Sequence, residues 1–311
     1  MISRKSRSTS LVLTAATPFA LAALALTPAC AAAAPHATTP HTRPAASNST
    51  TISRVHQTVP AYSHIVIVME ENHSYSQIIG SSQAPYINSL AAKGALFTDS
   101  HAITHPSEPN YMAFTSGSTY GLTSDQCPFT TSHANLGSEL IAKGDSYSDY
   151  SENLPSQGSE VCTSPDGLYA RKHNPAANYT DLPASSNKTW AQFPSSSSYA
   201  SLPTVSFVDP NLNDDMHNGT IQQGDTWLKN NMSAYATWAA SNNSLLIVTW
   251  DENDGSAGNQ IATIFVGANV KAGKYSEKIT HYRVLRTIEA AYGLTPLGKS
   301  SGVQPITDVF G

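Results

Sequence analysis

Short runs of apolar residues recur along the chain, and they predict strands that are buried on both faces. The clearest runs cover residues 65–69 and 245–250, where Ile, Val and Leu follow one another without an alternating polar position. Such uninterrupted runs are typical of strands in a parallel sheet that helices cover on both sides. Weaker runs predict four further strands, at residues 95–102, 147–150, 202–208 and 261–267.

Helical periodicity fills most of the intervals between these strands. Apolar residues three or four positions apart predict helices, with Gly94, Gly144 and Gly293 as C-terminal stops. The predicted helices cover residues 85–93, 136–143, 224–240 and 283–292. A strand, a helix and a strand in succession form the unit of a parallel sheet. We therefore predict an α/β fold with a mostly parallel central sheet flanked by helices, in a single domain.

Residues 151–200 interrupt this regularity. The segment is rich in Ser, Ala, Asn and Pro, and it shows no clear apolar period. We interpret it as a loop-rich insertion that covers the functional site. A disordered loop is the alternative.

Acidic residues follow three of the predicted strands. These residues and their polar neighbours are Glu70, Glu71, Asn72, Asp214, Asp215, His217, Asp251 and Glu252. In a parallel sheet the three strand ends lie at one edge, where ligands bind. Oxygen ligands suit Mg²⁺ or Ca²⁺, and a histidine adds Zn²⁺, Mn²⁺ and Fe as candidates. Each segment alone is also compatible with a solvated acidic turn, but the recurrence at three strand ends favours a metal site.

Ser107 lies on a turn that leads into a helix. Pro106 and Pro109 interrupt regular structure around it, and helical spacing resumes with Tyr111 and Phe114 on one face. The free N–H groups and the dipole at a helix start favour anions. Ser107 is therefore placed to attack phosphorus while the same amides hold the phosphoryl oxygens. The alternative is a serine that only caps the helix.

The first 34 residues have the pattern of a secretory signal peptide. Three basic residues precede an apolar run at residues 11–26, and small residues follow it. A membrane anchor is the alternative, but the run is shorter than the ~20 residues that span a bilayer. Residues 35–60 predict a flexible leader, because their Ala, Thr, Ser and Pro cannot form a core. Residues 61–311 are then the folded catalytic domain.

Composition and cysteine content indicate the compartment in which the protein folds and exclude one class of partner. Only 13% of the residues are charged and the formal net charge is −5, so nucleic acid binding is not expected. After removal of the signal peptide, Cys127 and Cys162 remain, and in an oxidising compartment they most simply form one disulfide. Cys30, beside the cleavage region, is an alternative site of lipid attachment that would hold the protein at the cell envelope.

At several of these positions the chain resembles the bacterial and fungal phosphoesterase family. That family contains secreted acid phosphatases and phosphatidylcholine-type phospholipases C, and it is related to the alkaline phosphatase superfamily. The similar motifs, in the family's order, are Glu71-Asn72, Pro106-Ser107-Glu108-Pro109-Asn110-Tyr111, Ser116-Gly117, Asp214-Asp215-Met216-His217 and Asp251-Glu252. They extend over about residues 62–297, essentially the whole predicted domain.

The resemblance implies an alkaline-phosphatase-like fold and a Ser107 nucleophile that forms a phosphoseryl intermediate. It implies one divalent metal ion, with Ca, Mg, Zn, Mn and Fe all as candidates. The implied metal ligands are Glu71, Asn72, Ser107, Asp251 and Glu252. His217 would contact the phosphate or protonate the leaving oxygen, and His281 is a second candidate for that work.

The chain also departs from the two-zinc alkaline phosphatases. It has Asp251-Glu252 where those enzymes have Asp-His, and Asn213 takes the first position of the Asp-x-x-x-His spacing before His217. A single metal ion is therefore expected.

The predicted function is a secreted, metal-dependent phosphoric ester hydrolase, an acid phosphatase that acts on small phosphomonoesters. A phospholipase C that hydrolyses phospholipids with the same residues is the alternative. The sequence predicts no appended lipid-binding domain, which favours the phosphatase. A non-catalytic surface binding protein is a further alternative, and the intact Ser107 and acidic ligands argue against it. No stable protein partner is expected.

Overall fold

The computed structural model describes residues 58–256 and 258–311. The predicted signal peptide, Cys30 and almost all of the predicted leader lie outside the described residues. Within the described ranges, no helix is both long enough and apolar enough to cross a membrane.

One sheet of eight strands, with six α-helices packed around it, makes up the regular structure of the described residues. The strands are β1 (His64–Glu70), β2 (Ala95–His101), β3 (Tyr147–Ser151), β4 (Asn187–Thr189), β5 (Val205–Asp209), β6 (Ser244–Trp250), β7 (Gln260–Gly267) and β8 (Gly273–Thr280). The α-helices are α1 (Tyr75–Ile78), α2 (Pro85–Lys93), α3 (Glu108–Ser116), α4 (Leu136–Lys143), α5 (Ile221–Ala239) and α6 (His281–Tyr292). Short 3-10 turns occur at Arg171–His173, Pro175–Ala177, Ala184–Ser186, Trp190–Gln192, Tyr199–Ser201 and Gly298–Gly302.

The strand order across the sheet is β4-β3-β5-β1-β6-β7-β2-β8. β1 pairs in parallel with β5 on one side and with β6 on the other. β7 is the exception, since it runs antiparallel to both β6 and β2. The predicted α/β fold with a mostly parallel central sheet is therefore confirmed.

Side chains of β1 alternate between two apolar layers. Ile65, Ile67 and Met69 pack in the layer that contains side chains of α3, α4 and α6. Val66 and Val68 pack in the opposite layer, with side chains of α2 and α5. Because successive side chains of a strand point to opposite faces, a strand covered on both sides needs an uninterrupted apolar run, which is the pattern that the sequence has.

The register of the central strands brings the polar strand ends together. Glu70 of β1 lies opposite Trp250 of β6, so the following residues, Glu71 and Asp251, leave the sheet side by side. The Asp251 N–H donates to the Glu70 carbonyl at 2.9 Å. β5 ends at Asp209 on the other side of β1, which confirms that the three acidic strand ends share one edge.

Helix α3 is the element that carries Ser107. Ser107 is its N-cap, and Gly117 ends the helix in the left-handed conformation, with φ 71°. A side chain at Gly117 would be strained in this conformation and would collide with the Leu297 carbonyl.

The segment between β3 and β5 is irregular, as the sequence predicts. It consists of β4, five 3-10 turns and connecting loops. The predicted disulfide between Cys127 and Cys162 is formed, with a Cα–Cα distance of 5.7 Å, and it joins this segment to the loop that follows α3.

Candidate active site

Ser107 and Glu71 form the centre of the site. Glu71 is fully buried and Ser107 is 2% exposed. Ser107 Oγ donates to Glu71 Oε2 at 3.0 Å, and the Tyr111 hydroxyl donates to Oε1 of the same carboxylate at 2.7 Å. Ser107 and Tyr111 are one helical turn apart, so α3 positions both donors and the Glu71 carboxylate orients the serine hydroxyl.

Asp251 and Glu252 enter the site from the end of β6. The Asn72 N–H donates to Asp251 Oδ1 at 3.3 Å, whereas Oδ2 of Asp251 is buried without a hydrogen-bond partner among the described residues. Asn72 has a left-handed backbone, with φ 55°, and together with Glu252 it lines an open cavity of about 470 Å³. Nδ1 of His105 lies 2.5 Å from Glu252 Oε2.

Two histidines lie close to the Glu71 carboxylate. Nε2 of His173 is 3.0 Å from Glu71 Oε1, and its Nδ1 is 3.2 Å from Asp215 Oδ2. The His173 ring stacks on Tyr111, with ring centres 5.2 Å apart. Potential ligand atoms of Glu71, His173 and His217 all lie within 4.8 Å of one another. These three residues therefore form a possible metal-binding triad.

His281 contacts the main chain of the site. It begins α6, is 1% exposed, and its Nε2 lies 2.7 Å from the Asp251 carbonyl oxygen. Burial lowers the pKa of His281 to about 4, so the neutral ring donates this hydrogen bond. The ring packs edge-on against Phe114.

The acids of the site are buried together, which makes their ionisation costly. Burial, followed by the charges of Asp251 and Asp215, raises the pKa of Glu71 well above its usual range. Burial likewise raises the pKa of Asp215, raises the pKa of Asp251 to about 6 and raises that of Glu252 to about 8. Buried carboxylates this close together require protons or a cation to balance them.

The donor set fits a divalent cation. Burial and the charges of Lys172 and His217 hold the pKa of His173 well below its usual value, so its ring is neutral and carries a single N–H. Both ring nitrogens nevertheless face carboxylates, those of Glu71 and Asp215. A cation beside Glu71 would accept the lone pair of the second nitrogen, and carboxylate oxygens with imidazole are suitable ligands for Zn²⁺, Mn²⁺ or Fe.

The structure brings most of the residues predicted from the sequence to one edge of the sheet. They are Glu71, Asn72, Ser107, His217, Asp251 and Glu252. Asp215 is 1% exposed and contacts His173, whereas Asp214 is half-buried and contacts Asn211 and Gln223.

His173 is the contact that sequence reasoning missed. It lies in the 3-10 turn Arg171–His173, inside the segment without apolar period. The available signal is compositional, because three consecutive basic side chains interrupt a segment that is otherwise rich in Ser, Ala and Asn.

Comparisons with known proteins identify relatives of this chain. The model of the Phosphoesterase family matches residues 81–295. A phosphatidylinositol-3-phosphatase from Mycobacterium tuberculosis is 51% identical over 254 residues, which cover 81% of this chain and 84% of that protein. An acid phosphatase from Aspergillus fumigatus is 28% identical over 264 residues, which cover 77% of this chain. The match takes in 57% of that fungal protein's length.

Solved structures confirm the alkaline-phosphatase-like fold. A protein of the alkaline phosphatase superfamily from Vibrio parahaemolyticus superimposes with a TM-score of 0.53 at 11% identity, over 80% of this chain and 72% of its own. A lipoteichoic acid synthase from Listeria monocytogenes superimposes with a TM-score of 0.54 at 10% identity, over 78% and 75% of the two chains. At such low identity the likeness concerns the fold alone. The family match and the curated relatives go further: this chain belongs to the phosphoesterase family and is a phosphoric ester hydrolase.

Proposed function

We propose that this chain is a metal-dependent acid phosphatase that hydrolyses phosphomonoesters through a phosphoserine at Ser107. The observation that carries the proposal is the Ser107 hydroxyl at the start of α3, 3.0 Å from Glu71 Oε2. At this place a nucleophile, a helix N-terminus and a cluster of buried acids and histidines meet. A serine that only caps a helix does not require buried acids and histidines around it.

In the proposed first step, Ser107 Oγ attacks phosphorus as the bond between phosphorus and the ester oxygen breaks. The hydroxyl proton leaves towards the carboxylates that surround Ser107, of which Glu71 Oε2 is the acceptor at hydrogen-bond distance. In the second step water attacks the phosphoserine, the bond between phosphorus and Oγ breaks, and Ser107 regains its proton.

His217 is the proposed acid that protonates the leaving oxygen. Burial lowers the pKa of His217, whereas a hydrogen bond that its Nδ1 donates to Asn218 Oδ1 raises it. A histidine with a lowered pKa is protonated only on the acidic side of neutrality. If His217 must carry a proton in the first step, hydrolysis is faster at acid pH, as in an acid phosphatase.

One divalent ion, with Ca, Mg, Zn, Mn and Fe as candidates, is part of the proposal. Glu71, Asn72, Ser107, Asp251 and Glu252 would hold it, and His173, whose Nε2 lies 3.0 Å from Glu71 Oε1, would be a further ligand. When bound, such an ion would lower the pKa of the serine hydroxyl and neutralise charge on the phosphoryl group.

His281 is proposed as a positioning residue. It donates to the carbonyl of Asp251, and it would thereby fix the end of β6.

The curated relatives guide the proposed substrate class. Since a 51% identical relative is a phosphatidylinositol-3-phosphatase, we include phosphorylated inositol lipids among the phosphomonoester substrates. Export through the predicted signal peptide at residues 1–34 is also part of the proposal, because a basic start, an apolar run and small residues follow one another there.

The test is one assay with four substrates: p-nitrophenyl phosphate, bis-p-nitrophenyl phosphate, phosphatidylcholine vesicles and vesicles that contain phosphatidylinositol 3-phosphate. We expect hydrolysis of both monoesters, loss of activity with a chelator, and recovery with one of the candidate metals. Ser107→Ala should lower kcat on the order of 10³-fold or more, whereas Ser301→Ala, at an exposed serine, should leave it unchanged. Diacylglycerol release from phosphatidylcholine without monoester hydrolysis would instead identify a phospholipase C.

A further inference from the structure

Lys172 is a cation at the edge of the site that the mechanism above does not use. Its Nζ lies 3.2 Å from His217 Nε2 and 2.9 Å from Asp125 Oδ2. The contact with Asp125 is an ion pair, in which the carboxylate supplies the counter-charge of the ammonium group. The ammonium group therefore lies beside His217, at the edge of the proposed phosphoryl site.

Asp125 ties this ammonium to the helix that carries the nucleophile. Oδ1 of Asp125 accepts from the N–H of Glu108, the first residue of α3, at 3.0 Å, while Oδ2 accepts from Lys172. The next residue, Gln126, donates its N–H to Glu108 Oε2 at 2.6 Å. Only two hydrogen bonds separate the ammonium from the residue that follows Ser107, so its position relative to the nucleophile is fixed.

The ammonium is also accessible from solvent. Lys172 and Asp125 line an open cavity of about 290 Å³, together with Leu212 and the disulfide between Cys127 and Cys162. The Lys172 side chain is 21% exposed. A ligand that enters this cavity meets the ion pair of Lys172 and Asp125.

We propose that Lys172 binds the second negative charge of a phosphomonoester, and that it thereby makes the site prefer monoesters to diesters. This inference rests on the function proposed above. At pH 7 a phosphomonoester carries a charge of about −1.5 to −2, whereas a diester carries a single negative charge. The buried acids repel both substrates. The ammonium group of Lys172 attracts the monoester more strongly than the diester, because the monoester carries more negative charge. Asp125 is a positioning residue, because it acts through Lys172.

The test compares Lys172→Gln, Lys172→Arg and Asp125→Asn in the metal-supplied protein at pH 7. For Lys172→Gln we expect kcat/KM to fall about 10- to 100-fold for p-nitrophenyl phosphate, and less than about threefold for bis-p-nitrophenyl phosphate. Lys172→Arg should keep most of the preference, and Asp125→Asn should lower it by a smaller factor in the same direction. Lys229→Gln removes one exposed lysine charge on α5, whose apolar residues pack in the opposite layer of the sheet from α3, and it should change neither value.

Calorimetric binding of inorganic phosphate and of dimethyl phosphate provides a second readout that needs no turnover. Lys172→Gln should weaken binding of inorganic phosphate about 10-fold or more and leave dimethyl phosphate almost unchanged. An equal loss for both ligands, or no loss for either, in a folded variant would overturn the role of Lys172. If the wild type hydrolyses neither ester, the proposed function fails, and the calorimetric comparison still decides whether Lys172 selects the dianion.

Discussion

Glu70 and Glu71 are neighbours at the end of β1, and both are fully buried, but their surroundings differ. The carboxylate of Glu71 accepts hydrogen bonds from Ser107 and Tyr111, and it lies 3.0 Å from His173 Nε2. Neither oxygen of Glu70 has a hydrogen-bond partner among the residues that the structure describes. Burial, followed by the charge of Asp215, raises the pKa of Glu70 well above its usual range.

The comparison shows that an acidic residue at a buried strand end does not by itself acquire polar side-chain contacts. Residue type, burial and strand end are the same for both glutamates. What distinguishes Glu71 is a hydroxyl and an imidazole within hydrogen-bond distance, supplied by α3 and by the irregular segment. We therefore expect substitutions of the two glutamates to have separate effects.

The largest expected difference is in activity. Glu71→Gln should lower kcat/KM for p-nitrophenyl phosphate on the order of 10²–10³-fold, because it removes the partner of Ser107 and a proposed metal ligand. Glu70→Gln, the matched substitution one residue earlier, should stay within about threefold of the wild type. Equal losses in the two variants, measured side by side with metal supplied, would contradict the distinction between the two carboxylates.

His173→Asn tests whether the imidazole beside Glu71 contributes to the site, and its expected effect on activity is smaller than that of Glu71→Gln. His173 touches Glu71 and Asp215 but not Glu70 in the described contacts. We expect a loss of about 10- to 100-fold in activity or in metal affinity, as for residues that support a metal site. His133→Asn, at an exposed histidine that stacks on Tyr120, is the control and should remain fully active; an active His173→Asn would remove His173 from the site.

The smallest expected effect is on stability, and it belongs to Glu70. Because its folded-state pKa is raised, the folded protein holds this proton more tightly than the unfolded chain does. The resulting stability is complete below the unfolded pKa of about 4.3 and is lost as the pH rises through the raised value. Glu70→Gln should abolish this loss, so that at pH 8 its free energy of unfolding should exceed that of the wild type by about 1–3 kcal/mol.

Denaturant unfolding at pH 4 and pH 8 measures this difference. Wild type and Glu70→Gln should have similar free energies of unfolding at pH 4, below the unfolded pKa, and the variant should be the more stable protein at pH 8. Parallel pH profiles for the two proteins would mean that the Glu70 proton is not held by burial.

The fold and half of the site could be predicted from the sequence, because periodicity reports burial directly. A strand covered on both faces must be apolar throughout, so the end of its apolar run marks the sheet edge at Glu71 and at Asp251. The position of Ser107 before α3 follows from Pro106 and from the helical spacing after it.

The rest could not be predicted, because no local pattern specifies it. Strand β8 was not predicted, since it is an edge strand in which only Ile279 is buried and three of the eight residues are charged. The apolar run of β7 does not indicate whether this strand runs parallel or antiparallel to its neighbours. His173 and Lys172 lie in the 3-10 turn Arg171–His173. That segment is held in place by the disulfide between Cys127 and Cys162 and by hydrogen bonds of the buried Arg171 side chain to main-chain carbonyls.

The central claim is that Ser107 carries the phosphoryl group. The most direct test is acid quenching of the metal-supplied enzyme during turnover of p-nitrophenyl phosphate, followed by mass spectrometry of its peptides. We predict one phosphoryl group on the peptide that contains Ser107, assigned to that residue by fragmentation and lost in Ser107→Ala together with activity. Full turnover by Ser107→Ala, or a trapped phosphoryl group on another residue, would contradict the account.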